Sequence, residues 1–374
     1  MHSSIAEIHA ALPHGVSPLG GLRAVVEGTQ ALAEHGEAGV LAVVIETDGS
    51  TYRKPGALVV LDTRGVRVGA LSGGCLEGEL EVAARDVLAS GIAGDVRFDT
   101  SGDEDRLFGS GTGCGGATRV MLLPLPARAA PLREALLDAH ERGLEFNLTL
   151  GLAAKQLGHG EARVGRTAAD TRRYRFDASG APGADRVEFA RAIELAVRPP
   201  PRLLLLGAGP ETRPLLLLTR LLGWHVELVE HRGRWARFAE GCGIDCIHVA
   251  GLDSVLERAR FDAALVMNHN YLLDASSLMH LARSDIGYVG LLGPAARRDD
   301  LLSEIGDSAA ARLRPRLRAP VGLPLGGEGA EPIALAIVAQ VQNELSRHGR
   351  DSMCHFALED RGDERVDVPD VRAH

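Results

Sequence analysis

The stretch LLLLGAGPETRPLLLL, residues 203–218, decides the fold of the second half of the chain. A short apolar run typical of a buried strand leads into Gly207 and Gly209, and an apolar helical pattern follows. A glycine pair between a strand and a helix is the context of a dinucleotide-binding turn, because glycine permits the tight turn and lets backbone approach a phosphate. Pro210 has no N–H and suits the first helical turn. We therefore predict that Gly207, Gly209 and Pro210 bind a cofactor phosphate at the helix N-terminus.

Short apolar strands alternate with helical stretches on the C-terminal side of this turn. This rhythm predicts a Rossmann-like, doubly wound parallel sheet with right-handed crossovers, in a domain covering residues 199–348. The triple proline at 199–201 marks its start, because proline fits neither a helix interior nor a central strand. The predicted strands are 202–206, 225–230, 244–249, 261–268 and 286–292, and the last predicted helix is 331–347.

Two more residues follow predicted strands of this sheet, where ligands of open α/β sheets bind. Glu230 closes the second strand, at the place of an acid that binds a ribose hydroxyl. His269 follows the fourth strand, between Asn268 and Asn270. We predict that Glu230 and His269 contact the cofactor. Two alternatives stay open: a domain of this shape that packs and binds nothing, and an ordinary loop histidine at 269.

The first part of the chain predicts a separate α/β domain with a mixed sheet over residues 1–126. A helix is predicted at 21–37 and another at 76–91, and β-branched apolar runs predict strands between and after them. Residues 127–198 are poorly readable and are interpreted as an appendage or linker. Residues 349–374 are charged and weakly periodic, which is typical of a mobile tail.

The segment LSGGCLEGEL, residues 71–80, places a thiol beside glycines at the start of a predicted helix. Helix N-termini lower the pKa of a thiol. The amides of Ser72, Gly73 and Gly74 form a candidate anion nest next to Cys75. The carboxylate of Glu77 acts in the opposite direction and raises the pKa of that thiol. All five residues are candidate cofactor-binding residues, and Cys75 is also a candidate metal ligand.

A second thiol, Cys114, lies in another glycine-rich segment together with Gly115 and Gly116. If the two segments meet in one cleft, Cys75 and Cys114 become soft metal ligands, sulfur carriers or nucleophiles. We therefore add Cys114, Gly115 and Gly116 to the cofactor-binding candidates, with Cys114 as a second metal ligand. The alternative is ordinary, because free cysteines are often small buried hydrophobic residues.

Composition excludes several classes of function. The net charge is −9 with no long basic run, so nucleic acid and anionic membranes are poor partners. No uninterrupted apolar stretch reaches the roughly 18 residues of a membrane span.

Five cysteines in 374 residues favour a reducing compartment, and the cytoplasm is predicted. Cys242 and Cys246 favour core packing, because a structural zinc site needs four ligands. Serine hydrolase, HExxH metalloprotease and P-loop signatures are absent from the sequence.

Several stretches together resemble the XdhC/CoxI family, the accessory factors of xanthine dehydrogenase-type molybdenum hydroxylases. The similarity covers most of residues 38–125 and 200–345, in the same order. The stretches are ETDGSTYRKPGA (46–57), GALSGGCLEGEL (69–80), GCGG (113–116), LLLLGAGPETRPL (203–215), GWHVELVEHR (223–232), GYVGLLG (287–293) and RAPVGLPLGGEGAEPIALAIVAQV (318–341).

The resemblance implies a protein that binds molybdenum cofactor (molybdopterin), protects it during sulfuration and delivers it to an apo molybdenum hydroxylase. A cysteine desulfurase-type sulfur donor is then a second partner, and the protein acts as a chaperone more than as an enzyme. A homodimer that encloses the cofactor fits this role. The alternatives are an NAD(P)-dependent oxidoreductase that uses Gly207, Gly209 and Glu230, and a nucleotide-binding regulatory module without chemistry.

Overall fold

The computed structural model describes residues 21–72, 76–99, 116–184, 188–249 and 251–350. These residues form three sheets with helices packed around them. The C-terminal sheet is parallel and of the Rossmann type, and an α/β region precedes it, so the predicted fold class is confirmed. The predicted mobile tail lies outside the described residues from 351 onward.

The first sheet has five strands in the order β3-β2-β1-β5-β4. The sequence predicts a mixed sheet here, but every described pairing is antiparallel, since β1 lies between two strands that run opposite to it. Residues 40–45 of β1 are buried on both faces, because helices cover the sheet on each side. The elements are α1 (Gly21–Glu34), β1 (Gly39–Gly49), β2 (Leu58–Asp62), β3 (Gly65–Val68), α2 (Glu77–Ser90), β4 (Gly94–Asp99) and β5 (Gly116–Leu125).

The section 127–198, which is poorly readable in the sequence, forms a helix and a four-stranded antiparallel sheet of order β8-β7-β6-β9. Alternate residues of β6 point into the core that α1 and the first sheet also share. This section is therefore part of the N-terminal hydrophobic core. Its elements are α3 (Pro131–Arg142), β6 (Phe146–Gly151), a 3-10 turn (Ala154–Gln156), β7 (Gly160–Val164), β8 (Arg172–Phe176) and β9 (Ala192–Val197).

The third sheet has the strand order β12-β11-β10-β13-β14-β15, and every described pair is parallel. This is the order of a doubly wound dinucleotide-binding fold, with the topological switch point between β10 and β13. The elements are β10 (Arg202–Leu206), α4 (Thr212–Leu221), β11 (His225–Val229), α5 (Gly233–Glu240), β12 (Cys246–His248), α6 (Leu252–Arg258), β13 (Ala263–Val266), α7 (Tyr271–Leu281), β14 (Tyr288–Leu291), α8 (Ala295–Glu304), α9 (Asp307–Leu313), β15 (Leu317–Arg318) and α10 (Ala330–Arg350).

The N-terminal core and the parallel sheet meet through α1. The buried guanidinium of Arg23 donates to the carbonyl oxygen of Trp224 at 2.9 Å and to the Asp245 carboxylate at 3.0 Å. Trp224 and Asp245 immediately precede β11 and β12, so these contacts lie at the amino-terminal edge of the parallel strands. The glycine turn lies at the opposite edge. None of the helices in the described ranges is both long and apolar enough to cross a bilayer.

Candidate functional site

The glycine turn after β10 is close to the backbone that leaves β13. Gly207 has φ of +88°, and a Cβ added there would lie 2.4 Å from the Cα of Asn268. Both facts require glycine, because other residues are strained at positive φ and the obstruction is backbone. Glycine is therefore needed at position 207 because the turn after β10 passes directly beside the backbone that leaves β13, at the switch point of the sheet.

The amides of this turn are bonded within the chain. Gly207 N–H donates to Val229, Ala208 N–H donates to Glu230 Oε2 at 2.9 Å, and Gly209 N–H donates to Thr212 Oγ1 at 3.0 Å. Pro210 has no amide to offer. A phosphate therefore binds these amides only by displacing Glu230 or the Thr212 hydroxyl, which differs from the open phosphate cradle that the sequence predicts.

Glu230 is buried and holds the turn in place. Its carboxylate accepts hydrogen bonds from the Ala208 amide and from both the backbone and the guanidinium of Arg232. Arg232 also donates to the carbonyl of Ala208 at 2.7 Å. Burial would raise the pKa of Glu230, but the bonds from Arg232 and Ala208 outweigh it and lower that pKa. A ribose hydroxyl would compete with these partners. Glu230 positions the turn, and its contact with a cofactor stays a prediction.

His269 lies over the turn, as its position after β13 predicts. Its Nε2 is 3.7 Å from Glu211 Oε2, and a Cβ added to Gly209 would lie 2.4 Å from that nitrogen. His269 adopts φ of +54°, which is uncommon for a residue with a side chain and is found at ligand sites. Glu211 Oε2 is buried with no hydrogen-bond partner among the described residues. His269 and Glu211 therefore present an incompletely bonded polar pair beside Gly209.

A cavity of about 210 Å³ opens next to the glycine turn. Its walls come from the carboxyl ends of β10, β11 and β13, where ligands of such sheets bind. Its polar lining includes Asn268, His231, Ser277 and His280. The volume is below that of pockets for drug-sized ligands, so it suits one portion of a larger cofactor. Sequence reasoning missed His231, Ser277 and His280. Of these three, only His231 could have been found from the sequence, because it follows Glu230 directly at the end of a predicted strand.

In the N-terminal domain, Ser72 and Glu77 close the loop between them. Glu77 Oε1 accepts from the amides of Leu71 at 3.2 Å and Ser72 at 3.0 Å, and Glu77 Oε2 accepts from the Ser72 hydroxyl at 2.5 Å. The Ser72 oxygen in turn accepts from the Leu76 amide at 3.1 Å. We call these four residues the Ser72–Glu77 clamp. Burial would raise the pKa of Glu77, and the bonds from Ser72 and Leu71 lower it overall. The clamp fixes both ends of the segment that contains Cys75.

The predicted residues Gly73, Gly74, Cys75, Cys114 and Gly115 lie outside the described residues, so the predicted meeting of the two thiols stays a prediction.

The described residues that flank those thiol-bearing segments lie at one end of the first sheet. β1 and β4 both end there, β5 starts there at Gly116, and the chain leaves β3 toward it. Gly116 is described, and a Cβ there would lie 2.4 Å from the carbonyl oxygen of Ser50. Gly116 therefore permits close packing of β5 against the loop that follows β1. The topology is compatible with two segments that share one cleft.

The loop after β1 carries a cation at the same end of the sheet. Arg53 Nε is buried and has no hydrogen-bond partner among the described residues. Such a donor is costly to leave unpaired, so it favours an anionic group nearby. Lys54 follows it and is exposed. Arg53 is a residue that sequence reasoning missed, although it stands in the quoted ETDGSTYRKPGA stretch.

The two thiols among the described residues, Cys242 and Cys246, differ in their surroundings. Cys242 packs against the hydrophobic core of the parallel sheet, in agreement with the packing interpretation. Cys246 instead lies beside Glu227 and His248, whose ligand-type atoms are all within 4.8 Å of its sulfur and of one another. The interpretation of Cys246 as a core residue is therefore replaced by a polar cluster, because the register of β11 and β12 places Glu227 opposite it.

Comparison with known proteins gives two family matches. Residues 32–99 match the model of the XdhC and CoxI family, and residues 203–341 match the model of the XdhC Rossmann domain. A protein of Bacillus subtilis (strain 168), named as a probable subunit of xanthine dehydrogenase, is 29% identical over 330 residues, which cover 83% of this chain and 94% of that protein. A crystal structure from Bacillus halodurans, titled a xanthine dehydrogenase, superposes with a TM-score of 0.68 at 26% identity, covering 87% of this chain and 97% of that one.

Proposed function

Because the chain belongs to the XdhC/CoxI family, we propose that it binds molybdenum cofactor and supports its sulfuration and its insertion into a xanthine dehydrogenase-type hydroxylase. The observation that carries the proposal is the joint match of both family models, in order, in a chain that aligns with nearly the whole of a relative named for xanthine dehydrogenase. An accessory role accounts for that name without requiring this chain to oxidise xanthine.

The residues at the two candidate sites fit the chemistry of this cofactor. Molybdenum bonded to sulfur suits soft ligands, and Cys75 and Cys114 are the thiols in the glycine-rich segments. Arg53 Nε, which has no hydrogen-bond partner within the described ranges, suits an anionic phosphate or dithiolene. When bound, the cofactor supplies a molybdenum centre that accepts sulfur and that the partner hydroxylase later uses. The chain's own residues bind it, orient it and shield it from water.

The Ser72–Glu77 clamp has a positioning role in this proposal. It fixes the ends of the thiol-bearing segment with hydrogen bonds to a charged acceptor, which hold better than neutral ones. Residues Gly207, Gly209, Pro210, Glu230 and His269 form the second candidate contact region. There, the cavity lined by His231 and Asn268 would take the pterin or nucleotide end of the cofactor, and the turn would contribute its shape more than free amides.

The partners in this proposal are an apo molybdenum hydroxylase and a cysteine desulfurase-type sulfur donor. We place the protein in the cytoplasm, since thiols that receive and release sulfur must stay reduced. A homodimer would enclose the cofactor better than one chain, because the described contacts between the domains lie at the edge of the parallel sheet opposite the glycine turn.

Activation of an apo-hydroxylase tests this function. The purified full chain is loaded with molybdenum cofactor, mixed with sulfur donor and apo-hydroxylase, and hydroxylase activity is followed in time. We expect activation well above that given by free cofactor, and loss of the excess with Cys75→Ala. Activation equal to that of free cofactor would contradict the proposal.

A second candidate, an NAD(P)-dependent oxidoreductase, is favoured only by the cavity beside the glycine turn. The hydrogen bonds of Glu230 argue against this function, because the carboxylate that would bind a ribose hydroxyl already accepts from Arg232 and Ala208. Titration with NAD(H) and NADP(H), read by nicotinamide fluorescence, separates the two functions. Tight dinucleotide binding together with no affinity for molybdenum cofactor would favour the oxidoreductase.

A further inference from the structure

We propose that Glu227, Cys246 and His248 form a binding site for a divalent cation of the Zn²⁺ type, across the edge strand β12 and its neighbour β11 in the parallel sheet. This site is separate from the glycine turn. It does not depend on the function proposed above.

The sheet itself brings the three side chains together. Glu227 and Cys246 are directly paired in the parallel register of β11 and β12, so they share one face. His248 lies two residues beyond Cys246 and therefore points to that same face. A carboxylate oxygen, the thiol sulfur and an imidazole nitrogen all lie within 4.8 Å of one another. Ligands on strands are held more rigidly than ligands on loops.

Neighbouring side chains orient the Glu227 carboxylate. Arg202 and His225 both contact its Oε1, while His248 Nε2 lies 2.7 Å from Oε2. Oε1 is therefore occupied by partners, and Oε2 faces the histidine. Outer partners that hold a ligating carboxylate in this way are a regular feature of metal sites. Glu227 is buried, whereas Cys246 and His248 are partly exposed, so a cation can reach them from solvent.

The donor set selects the class of ion. One thiolate, one imidazole and one carboxylate suit Zn²⁺, which accepts sulfur, nitrogen and oxygen in tetrahedral sites. Ca²⁺ and Mg²⁺ prefer oxygen ligands only and are disfavoured. Three protein ligands leave a fourth position for water or a substrate atom, as in catalytic zinc sites. A thiolate, a carboxylate and a divalent ion together carry no net charge. The Arg202 guanidinium adds one positive charge, and it contacts Oε1, the carboxylate oxygen that does not face His248.

Proton balance follows from the same geometry. Without metal, the proton between His248 Nε2 and Glu227 Oε2 forms their hydrogen bond. On binding, the neutral His248 imidazole changes tautomer, so that its single ring proton sits on Nδ1 and Nε2 is free to ligate the metal, and the Cys246 thiol releases its proton to solvent. No oxidant or reductant is needed.

Cobalt titration of the full chain tests the site. Co²⁺ substitutes for Zn²⁺ and gives a thiolate-to-cobalt charge-transfer band together with intense visible absorption in tetrahedral sites. We expect one equivalent of Co²⁺ to produce both features in the wild type. Cys246→Ser should abolish the charge-transfer band. Cys242→Ser is the matched control, since this thiol lies four residues away in the same segment and packs on the core, and it should leave the band intact.

Thermal unfolding with Zn²⁺ provides the second readout. A site that binds only the folded chain raises the melting temperature in proportion to the logarithm of free metal. We expect that rise in the wild type and in Cys242→Ser, and its loss in Cys246→Ser and His248→Asn, with circular dichroism confirming that the variants are folded. Absence of the band in the wild type, or a band that survives Cys246→Ser in a chain whose Cys75 and Cys114 are both replaced by alanine, would overturn the proposal and leave a hydrogen-bonded cluster of structural importance only.

Discussion

Replacing Glu77 by alanine should loosen the segment that carries Cys75. The side chain accepts three hydrogen bonds, two of them from the buried residues Leu71 and Ser72 through their amides. In Glu77→Ala these two amides lose their partner. Hydrogen bonds to charged acceptors contribute roughly 1.5–3 kcal/mol each, and the three share one half-buried carboxylate. We therefore expect the free energy of local opening to fall by about 2 kcal/mol.

Hydrogen exchange measures this change directly. A fall of about 2 kcal/mol corresponds to exchange that is roughly 30-fold faster at the amides of Leu71 and Ser72, at about 1.4 kcal/mol for each factor of ten. Glu79→Ala is the matched control, because Glu79 is exposed and also lies in the first turn of α2. It removes the same favourable charge from the helix N-terminus without removing the clamp. Equal protection factors in the two variants would show that the Glu77 carboxylate does not hold this segment.

The clamp should also depend on pH in a defined direction. The pKa of Glu77 is lowered in the folded chain: burial would raise it, but the bonds from Ser72 and Leu71 prevail. A lowered folded-state pKa stabilises the clamp above the ordinary glutamate pKa of about 4.3. That stability is lost as pH falls through the folded-state pKa. Protection factors at Ser72 should thus stay level from neutral pH to about 4.3 and then decline, whereas those of Glu77→Gln should show no such decline.

Three further outcomes are expected. Gly207→Ala, which meets backbone at positive φ, should lower the free energy of unfolding of the parallel-sheet domain by about 3 kcal/mol in urea, whereas Gly287→Ala, with open space around it, should cost about 1 kcal/mol or less. Arg23→Ala should destabilise the domain contact by about 3 kcal/mol, and a double-mutant cycle with Asp245→Asn should show coupling well above 1 kcal/mol; additive effects would contradict this. Because the pKa of Glu230 is lowered, acid titration should remove stability below the ordinary glutamate range, and Glu230→Gln should flatten that dependence in denaturation curves.

The parallel sheet could be predicted closely because its strands are continuous apolar runs between glycine and proline signals. The predicted strand 202–206 matches β10, and the predicted last helix lies within α10. The section 127–198 could not be predicted in the same way. Its strands alternate polar and apolar residues, and β8 reads RRYRF, which carries three arginines. These strands form because their apolar face completes a core supplied by distant residues of the first sheet.

The candidate site shows a similar division between position and contact. The positions of Gly207 and His269 follow from strand and helix order, which sequence patterns reveal. The bonds of Glu230 and Thr212 to the turn depend on side-chain geometry that no spacing rule contains. Glu77 illustrates the same limit. As a neighbour of Cys75 in sequence it predicts a raised thiol pKa, whereas in space it bonds Ser72 and Leu71.

The cluster at Glu227 shows what strand register adds. The sequence places Cys246 and His248 on one face of a strand, because they are two residues apart. It gives no indication that Glu227 joins them, since that requires the pairing of β11 with β12. Close spacing of Cys and His, the usual sequence signal of a zinc site, does not include a carboxylate from a neighbouring strand.

Direct binding of molybdenum cofactor by the purified full chain tests whether this chain is a cofactor chaperone. The wild type, Cys75→Ala and Cys114→Ala are incubated with the cofactor, separated from free ligand, and assayed for molybdenum and for the fluorescent oxidation product of molybdopterin. We expect stoichiometric binding by the wild type and weaker binding by either variant. No binding by the wild type, together with binding of NAD(P), would contradict the chaperone function and make the oxidoreductase the better account.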